Sequence, residues 1–246
     1  ACTKGLWVWP EPFVVQRPGG GRIAVLLIDT QGAFDSQFAR RQGNAVLGLA
    51  ACFSSRLIYN ISRQLQQDTV DDLLAFLEFA RANLRTADLQ HQGSSAAPFG
   101  ALSFLIRDWP HFPAAGGSSA RAMQQNRVLT NFVDGTQSGT RVRDMFSAVD
   151  CLILPPPGPI DRPGYDGHTS VLEPEYIELC ETHFRTIIDG IAPLQAMGQE
   201  VPPPAFAGLL RRLVGAFAEG GAVASSFSEA LAASTGMLAV GGAREA

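Results

Sequence analysis

The sequence has little charge, no dense basic stretch and no long apolar run. Only 17% of its 246 residues are charged and the net charge is −4. Without a lysine- or arginine-rich patch, nucleic acid is excluded as the expected partner. The longest apolar run, AVLGLAACF at 45–53, is far shorter than the ~18 residues of a membrane span. The N-terminus also lacks the basic and apolar regions of a signal peptide.

Cysteine and histidine are scarce, and their spacing gives no support to a metal centre. The four cysteines stand far apart, which is typical of unpaired thiols in a reducing compartment rather than of a disulfide framework. The four histidines are equally scattered and do not have the spacing of zinc ligands. Neither a zinc site nor a catalytic triad is indicated.

Glycine and proline are present in excess. The 25 glycines and 16 prolines make up about 17% of the chain, whereas the average share of these two residues is about 12%. This excess predicts long loops between ordered elements. Its length is that of one large domain, with or without an appendage, and 46% of its residues are hydrophobic. The first residue is Ala1 rather than Met, which we interpret as the start of a processed product or a fragment.

Continuous apolar runs predict the strands of a sheet covered on both faces, because strands of parallel sheets lack the polar alternation of half-exposed ones. The predicted strands are RIAVLLID (22–29), ALSFLIRD (101–108), CLILPPP (151–157) and, more weakly, RLIYNIS (56–62). The glycines at 19–21 before the first of them predict a hairpin turn.

Helical periodicity predicts three amphipathic helices between and after these strands. The predicted helices cover 69–85, 173–191 and 205–221. The first has Asp68 or Thr69 as its N-cap. The second has Pro174 near its first turn and an apolar stripe that includes Phe184. The intervening segments 88–100 and 110–120 are predicted to be loops. Alternating strands and helices indicate an α/β fold with a mostly parallel sheet and helices on both faces.

The first candidate site follows the strand at 22–29. Asp29 at a strand tip is able to hold Mg²⁺ through water, and Gly32 allows a backbone N–H to approach a terminal phosphate. One alternative is an ordinary strand-to-helix turn. Another is an unrelated α/β enzyme in which Asp29 binds metal for phosphoryl chemistry, which would need further carboxylates at neighbouring strand tips.

The second candidate site is Arg107-Asp108 at the end of the strand at 101–108. A carboxylate in that position is able to accept two hydrogen bonds from the N1–H and exocyclic amine of guanine. The alternatives are an Arg–Asp surface pair and a helix cap.

A third candidate is Thr3. If it lies in a loop, its hydroxyl would reach Mg²⁺ and phosphate; the alternative is that Thr3 belongs to a frayed terminus. Trp7 and Trp9 alternate, which predicts that they face a core or an interface.

Taken together, these segments resemble the dynamin-like GTPases of the atlastin and guanylate-binding-protein group. The matching segments run in order along nearly the whole chain: TKGLWVW (3–9), AVLLIDTQGAFDSQ (24–37), LIYNIS (57–62), LSFLIRDW (102–109), LILPPPG (152–158) and the helix beginning EPEYIELCETHF. DTQGAFDSQ and LIRDW in one sequence are specific to this group, whereas either alone is not.

The resemblance implies a three-layer P-loop-GTPase-like sandwich that binds GTP or GDP with Mg²⁺. It assigns Thr3 to switch I, Thr3 and Asp29 to indirect Mg²⁺ contact, and Gly32 to the γ-phosphate. Guanine recognition falls to Arg107 and Asp108. The base and ribose are capped by Pro157 and Gly158. Members of the family hydrolyse GTP and form homodimers through their G domains, and atlastins fuse endoplasmic-reticulum membranes.

One family motif has no counterpart here: the phosphate-binding loop G-x-x-x-x-G-K-[ST]. We therefore expect residues 1–222 to be a G domain truncated at its N-terminus, without the first strand and this loop, and 223–246 to begin the helical middle domain. The parent protein is expected on the cytoplasmic face of the endoplasmic reticulum, attached by segments outside this soluble chain. Because the loop is missing, we expect that this chain alone neither binds GTP tightly nor hydrolyses it. The alternative is a degenerate, non-catalytic G domain that acts as a binding or scaffold module.

Overall fold

A computed structural model of the protein describes residues 5–17, 20–32, 40–88, 97–113, 117–160, 165–196 and 199–218. The chain folds into two compact units. Unit 1 comprises Ala1–Ser55, Ala75–Gly100 and Ala192–Ala246, and unit 2 comprises Arg56–Leu74 and Ala101–Ile191. The predicted boundary at residue 222 lies outside the described residues.

Strands and helices alternate along most of the described chain. In chain order the elements are β1 (Leu6–Val8), β2 (Phe13–Gln16), β3 (Arg22–Val25), β4 (Ile28–Thr30), α1 (Arg40–Phe53), β5 (Arg56–Ser62), α2 (Gln67–Asp88), β6 (Phe99–Arg107), α3 (Gly117–Val128), a π-helical segment (Leu129–Asp134), α4 (Gln137–Met145), β7 (Phe146–Ile153), a 3₁₀ turn (Thr169–Val171), α5 (Pro174–Asp189), β8 (Gln195–Ala196), β9 (Gln199–Glu200) and α6 (Pro203–Ala218).

Unit 1 opens with an antiparallel ribbon. Strand β1 pairs with β4, and β2 pairs with β3. The Trp9 amide donates to the Leu27 carbonyl at 2.9 Å between the two pairs. The hairpin expected at the glycines is confirmed, with Gly20 and Gly21 both at positive φ. The expectation of a fully buried strand at 22–29 is wrong, because this run pairs antiparallel with one side open and leaves Leu27 51% exposed.

The two tryptophans of this ribbon are not core residues. Trp7 is 65% exposed and Trp9 58% exposed, so the expectation that they face a core is wrong, while an interface stays a prediction. Elsewhere in unit 1, α1 packs against α6, and the rings of Phe53 and Phe206 meet edge to face with centroids 6.5 Å apart. Phe53 and the α6 residue Leu209 are buried.

Unit 2 is built on the three-stranded sheet β5-β6-β7. Strands β5 and β6 are parallel, with Leu57 opposite Leu102, and Leu154 follows β7 and donates its N–H to the Ile106 carbonyl at 2.8 Å. Leu102, Phe104 and Ile106 on one face of β6 and Ser103 on the other are all buried, so this central strand is covered on both faces. The strands predicted from the apolar runs at 56–62 and 101–108 are confirmed, whereas only the first part of the run at 151–157 lies in a strand.

Strand β7 begins earlier than predicted, at Phe146, and ends at Ile153. The proline run that follows cannot donate ladder hydrogen bonds, which ends the strand before residue 157.

The helices differ in extent or exposure from what the periodicity predicted. Helix α2 begins at Gln67, so Asp68 and Thr69 lie in its first turn rather than at its N-cap. Helix α5 has Pro174 at its start as predicted, but its expected apolar stripe is only partly buried, since Phe184 is 41% exposed and Ile187 is buried. Helix α6 begins at Pro203, close to the predicted position.

The segment 110–120 is only partly a loop, because α3 begins at Gly117. A π-helical stretch and α4 follow it, and Thr136 joins them. The Thr136 hydroxyl donates to the Phe132 carbonyl at 2.9 Å and accepts from the Gly139 amide at 3.0 Å. None of these helices was expected from the sequence. The fold is of the α/β class, with a parallel sheet and helices.

Candidate functional site

Strands β5 and β6 end side by side in unit 2. Ser62 is opposite Arg107 in the register, and the Arg63 amide donates to the Arg107 carbonyl at 2.7 Å. Immediately beyond, the chain turns sharply at Arg63 and Asp108, with φ of 69° and 58°. Aspartate is among the residues that adopt this left-handed conformation with little strain. The two turns place the polar ends of both strands at one edge of the sheet.

The side chains at this edge form a connected group. Arg107 Nε donates to Asn60 Oδ1 at 3.0 Å, and an Arg107 terminal nitrogen, Nη1, donates to Asp108 Oδ2 at 3.3 Å. The Ser62 hydroxyl donates to the same Oδ2 at 3.1 Å. Both contacts therefore fall on one carboxylate oxygen, and within the described ranges Oδ1 of Asp108 is the oxygen left for another donor. The Asp108 side chain is 29% exposed.

The charges of Arg107 and Asp108 shift the pKa of Tyr176, which lies in the first turn of α5. Burial raises the pKa of the Tyr176 phenol, and Cys180 and the Asp108 carboxylate raise it further, whereas Arg107 lowers it. The Tyr176 hydroxyl also hydrogen-bonds to Cys180. Because its pKa is raised, the phenol is protonated and uncharged at neutral pH.

Pro157 and Gly158 lie just after β7, the strand next to β6. The end of β7 is tied to the Arg107-Asp108 corner, because the Trp109 amide donates to the Leu154 carbonyl at 2.9 Å. The Pro157 carbonyl accepts from the Glu173 amide at 2.9 Å. Gly158 has φ of +111°, and a Cβ there would lie 3.1 Å from the Val171 carbonyl oxygen. Position 158 is therefore restricted to glycine by its backbone.

Asp29 and Gly32 lie in unit 1, so they are described apart from the Arg107-Asp108 corner. Asp29 is exposed on β4, opposite Trp7 in the register. Gly32 is exposed, and a Cβ there would lie within 4 Å of no atom in the described part of the chain. Between them lies the buried Gln31, which makes two hydrogen bonds to Gly5. The Gln31 backbone N–H donates to the Gly5 carbonyl at 2.8 Å, and the Gln31 side-chain oxygen, Oε1, accepts from the Gly5 backbone N–H at 3.0 Å.

The Gln31–Gly5 contact brings together the two N-terminal segments that the sequence singled out, around Gly5 and around Asp29. Thr3 lies outside the described residues. Gln31 Nε2 is buried with no acceptor in the described part of the chain, so this corner holds one unused donor. Mg²⁺ bound to a nucleotide keeps several waters and needs one or two carboxylates besides the phosphates. The exposed carboxylate of Asp29 fits that requirement through water.

A separate polar cluster lies on unit 2. One guanidinium nitrogen of Arg56, Nη1, donates to Ser103 Oγ at 2.6 Å and to Asp150 Oδ2 at 2.5 Å. Burial lowers the pKa of nearby His183; Asp150 raises it and Arg56 lowers it. Arg56, Asp150 and His183 line a cavity of about 260 Å³. Across the described residues no three His, Cys, Asp or Glu side chains converge as a metal site.

Of the residues expected from the sequence, the structure joins Arg107 with Asp108 directly and sets Pro157 and Gly158 on the adjoining strand end. Reasoning from the sequence missed Asn60 and Ser62, which hydrogen-bond to that pair. The signal was the length of the two apolar runs: 56–62 and 101–107 have equal lengths, and pairing them in parallel puts Ser62 beside Arg107.

Comparison with known proteins identifies the class. Residues 1–188 match the family model described as guanylate-binding protein, N-terminal domain. The chain belongs to the guanylate-binding protein family, and with its α/β architecture it is a dynamin-like GTPase domain by descent.

Within that class, atlastins are among the relatives. Atlastin-1 of Bos taurus is 33% identical over 184 residues, covering 72% of this chain and 32% of the relative. Atlastin-2 of Homo sapiens is 34% identical over 181 residues, covering 71% of this chain and 30% of the relative. The chain thus spans about a third of the length of these relatives. In the described ranges no helix is long and apolar enough to cross a membrane.

Proposed function

We propose that this chain binds guanine nucleotides through the side chains of Asn60, Ser62, Arg107 and Asp108 at the ends of β5 and β6, the strand-end group of unit 2. The observation that carries the proposal is the Arg107-Asp108 corner: a partly exposed carboxylate, held at one oxygen, at the carboxyl end of a buried parallel strand. Ligands of α/β proteins bind at this end of the sheet. Membership of the guanylate-binding protein family supports the same ligand class.

The chemistry of the base follows from the carboxylate. Guanine presents two N–H donors, N1–H and the exocyclic amine, on one edge, and Asp108 supplies the acceptor charge that they need. Adenine presents a ring nitrogen acceptor at the same position, which a carboxylate repels. Pro157 and Gly158 cover the base and ribose from the adjoining strand end, and Arg107 holds the carboxylate in place.

The phosphates and Mg²⁺ are assigned to the N-terminal segments. Mg²⁺ would neutralise phosphate charge, and Asp29 would hold it through water, with Thr3 as the second contact. The backbone N–H of Gly32 would donate to the terminal phosphate. Among the described residues, Gln31 Nε2 has no acceptor and no atom lies within 4 Å of a Cβ added at Gly32, which supports an anionic ligand at this corner.

For the whole protein we propose GTP hydrolysis coupled to homodimerisation through G domains and to membrane fusion at the cytoplasmic face of the endoplasmic reticulum. The resemblance to atlastin-1 and atlastin-2 supports this. The chain spans about a third of these relatives, so these activities are proposed for the parent protein and not for the chain alone.

A second candidate function is nucleotide binding without turnover, as a binding or scaffold module. It is favoured by one sequence observation: the only lysine among the 246 residues is Lys4, which precedes Gly5 and not Ser or Thr. A phosphate-binding loop places a lysine on the β- and γ-phosphates, where much of the transition-state charge is balanced. Without that loop these residues are expected to bind the base and leave GTP intact.

Titration with a fluorescent GDP analogue, with and without Mg²⁺, tests binding. Asp108→Asn keeps the shape and the left-handed backbone but removes the charge, so GDP affinity should fall at least about tenfold, as for the loss of one charge-assisted hydrogen bond. Asp189→Asn, which alters a carboxylate at the far end of α5, is the matched control and should bind like the parent chain. Equal affinity for both variants contradicts the proposal.

Phosphate release from GTP then separates the two candidate functions. Turnover by the chain that depends on Asp108 supports the GTPase, whereas binding without phosphate release supports the binding module.

A further inference from the structure

The end of β5 contributes two polar side chains, Asn60 and Ser62, to which the sequence motifs assigned no role. Asn60 and Ser62 are two residues apart, so in a strand they project from the same face, and both are exposed. Each contacts one member of the Arg107-Asp108 pair: Asn60 Oδ1 accepts from Arg107 Nε at 3.0 Å, and Ser62 Oγ donates to Asp108 Oδ2 at 3.1 Å. Neither bond adds to the sheet ladder or to the core.

We propose that Asn60 and Ser62 are positioning residues that hold Arg107 and Asp108 in the conformation a purine base meets, and that Ser62 thereby sets the selectivity for guanine over hypoxanthine. The inference rests on the proposed function, because it names residues that tune the same base-binding corner.

The physical reason lies in how the carboxylate is held. The carboxylate of an aspartate rotates about the Cβ–Cγ bond, and the preferred values of this torsion angle are broad. Two donors, the Ser62 hydroxyl and the Arg107 guanidinium, converge on Oδ2 of Asp108 and fix that rotation. With Oδ2 anchored, the plane of the carboxylate is held toward the two N–H donors of the base edge. Ordering the carboxylate before binding removes an entropic cost from binding.

Arg107 is held in the same way. Its guanidinium donates through Nε to Asn60 and through a terminal nitrogen to Asp108, so the side chain is gripped at two points on its rigid plane. Releasing Asn60 would free the guanidinium to swing away, and Asp108 would lose one of its two anchors.

The selectivity test compares GDP with IDP, whose base is hypoxanthine. Hypoxanthine lacks only the exocyclic amine, so the ratio of the two dissociation constants reports the second N–H bond to the carboxylate. With Ser62→Ala we expect the preference for GDP over IDP to fall at least threefold. Ser62→Thr retains the hydroxyl and should restore the parent preference. Damage to the fold would weaken the binding of GDP and IDP alike and leave the ratio of their dissociation constants unchanged, so it cannot mimic the expected result. An unchanged ratio in Ser62→Ala overturns the proposal.

A second measurement needs no nucleotide. The Nε–H of Arg107, identified in NMR spectra by its loss in Arg107→Lys, should exchange with solvent at least fivefold faster in Asn60→Ala than in the parent chain. Asn60→Asp keeps an acceptor and should keep the protection.

The two measurements separate failure of this inference from failure of the proposed function. If the parent chain binds neither GDP nor IDP, guanine binding is wrong and the Arg107 exchange alone decides the positioning role. Faster exchange in Asn60→Ala then supports it, and unchanged exchange overturns it.

Discussion

Replacing Gly139 by alanine should destabilise unit 2 strongly, although alanine is the better helix former. Gly139 lies in α4 where the helix meets the π-helical stretch. A Cβ at this position would lie 2.3 Å from the carbonyl oxygens of Phe132 and Val133 and 2.5 Å from the α-carbon of Val133. All three are backbone atoms, so no flexible side chain is able to move aside.

The magnitude follows from the contacts that must break. Ordinary contact for a Cβ begins near 3.4 Å, so the two segments must separate by about 1 Å. Overpacking of this kind costs about 1–3 kcal/mol. The separation also breaks the two hydrogen bonds of the Thr136 hydroxyl, to Phe132 and from Gly139, each worth about 1 kcal/mol. The helix propensity of alanine returns about 1 kcal/mol, which leaves a net loss of about 2–4 kcal/mol.

Urea unfolding followed by circular dichroism measures this loss. With a slope of about 2 kcal/mol per molar urea, the midpoint of Gly139→Ala should fall by about 1–2 M. The control is Gly190→Ala at the end of α5, where φ is −98° and the nearest backbone oxygen is 3.3 Å from the added Cβ; it should stay within about 0.5 kcal/mol of the parent chain. A Gly139→Ala variant as stable as the parent would refute the close contact between α4 and the π-helical stretch.

Three further predictions concern single side chains of the described chain. Thr136→Ala should lose about 1–2 kcal/mol of unfolding free energy and Thr136→Ser much less, because serine keeps the capping hydroxyl; urea midpoints measure both. The pKa of His183 is lowered from its usual 6.5 in the folded chain, so below about pH 6.5 the unfolded chain binds more protons and stability falls as pH falls. His183→Gln should therefore lose less stability than the parent chain between pH 7 and pH 5, and an equal loss contradicts the assignment. Burial raises the pKa of the Cys52 and Cys151 thiols to about 12, so in a Cys2→Ser background the native chain should react with a thiol reagent at Cys180 first, and at the other two on unfolding; mass spectrometry of labelled peptides distinguishes them.

The sheet of unit 2 was predictable from the sequence because its central strand is covered on both faces. Burial forces nearly every position of 102–106 to be apolar or small, and such a run stands out against the rest of the chain. The ribbon of unit 1 was not predictable by the same reasoning. Its run at 22–29 is equally apolar, yet it pairs antiparallel and leaves Leu27 open. Composition reports how apolar a run is, and it does not report what covers it.

The helices that escaped prediction have a different cause. Helix α3 reads GSSARAMQQNRV, with glycine and serines at its start and few apolar side chains, so it shows no apolar stripe. It continues into the π-helical stretch and α4, and the Thr136 hydroxyl bridges the last two. These helices are specified by packing against each other and against β7, and packing between distant residues leaves no local periodicity.

In the strand-end group, the sequence predicted the Arg107-Asp108 pair but not its hydrogen-bond partners, Asn60 and Ser62. Arg107-Asp108 follows an apolar run directly, so its position at a strand tip was evident. Asn60 is separated from Arg107 by 47 residues, and only the parallel register, which sets Ser62 beside Arg107, reveals the contact. Register depends on the whole core rather than on local sequence, so a side chain that orients another across two strands is the hardest part of a site to predict.

This dependence on register ties the arrangement of the Arg107-Asp108 pair to the core of unit 2. Side chains in a strand alternate between two faces, so a slip of one residue between β5 and β6 would turn Asn60 and Ser62 to the opposite face of the sheet. The register is fixed by Leu57 opposite Leu102 and Tyr59 opposite Phe104, and the rings of the second pair pack edge to face with centroids 6.1 Å apart. A slip would therefore expose buried apolar side chains as well as separate the polar pair from its supports. The same packing that stabilises the sheet therefore places two hydrogen-bonding side chains, Asn60 and Ser62, beside the Arg107-Asp108 pair.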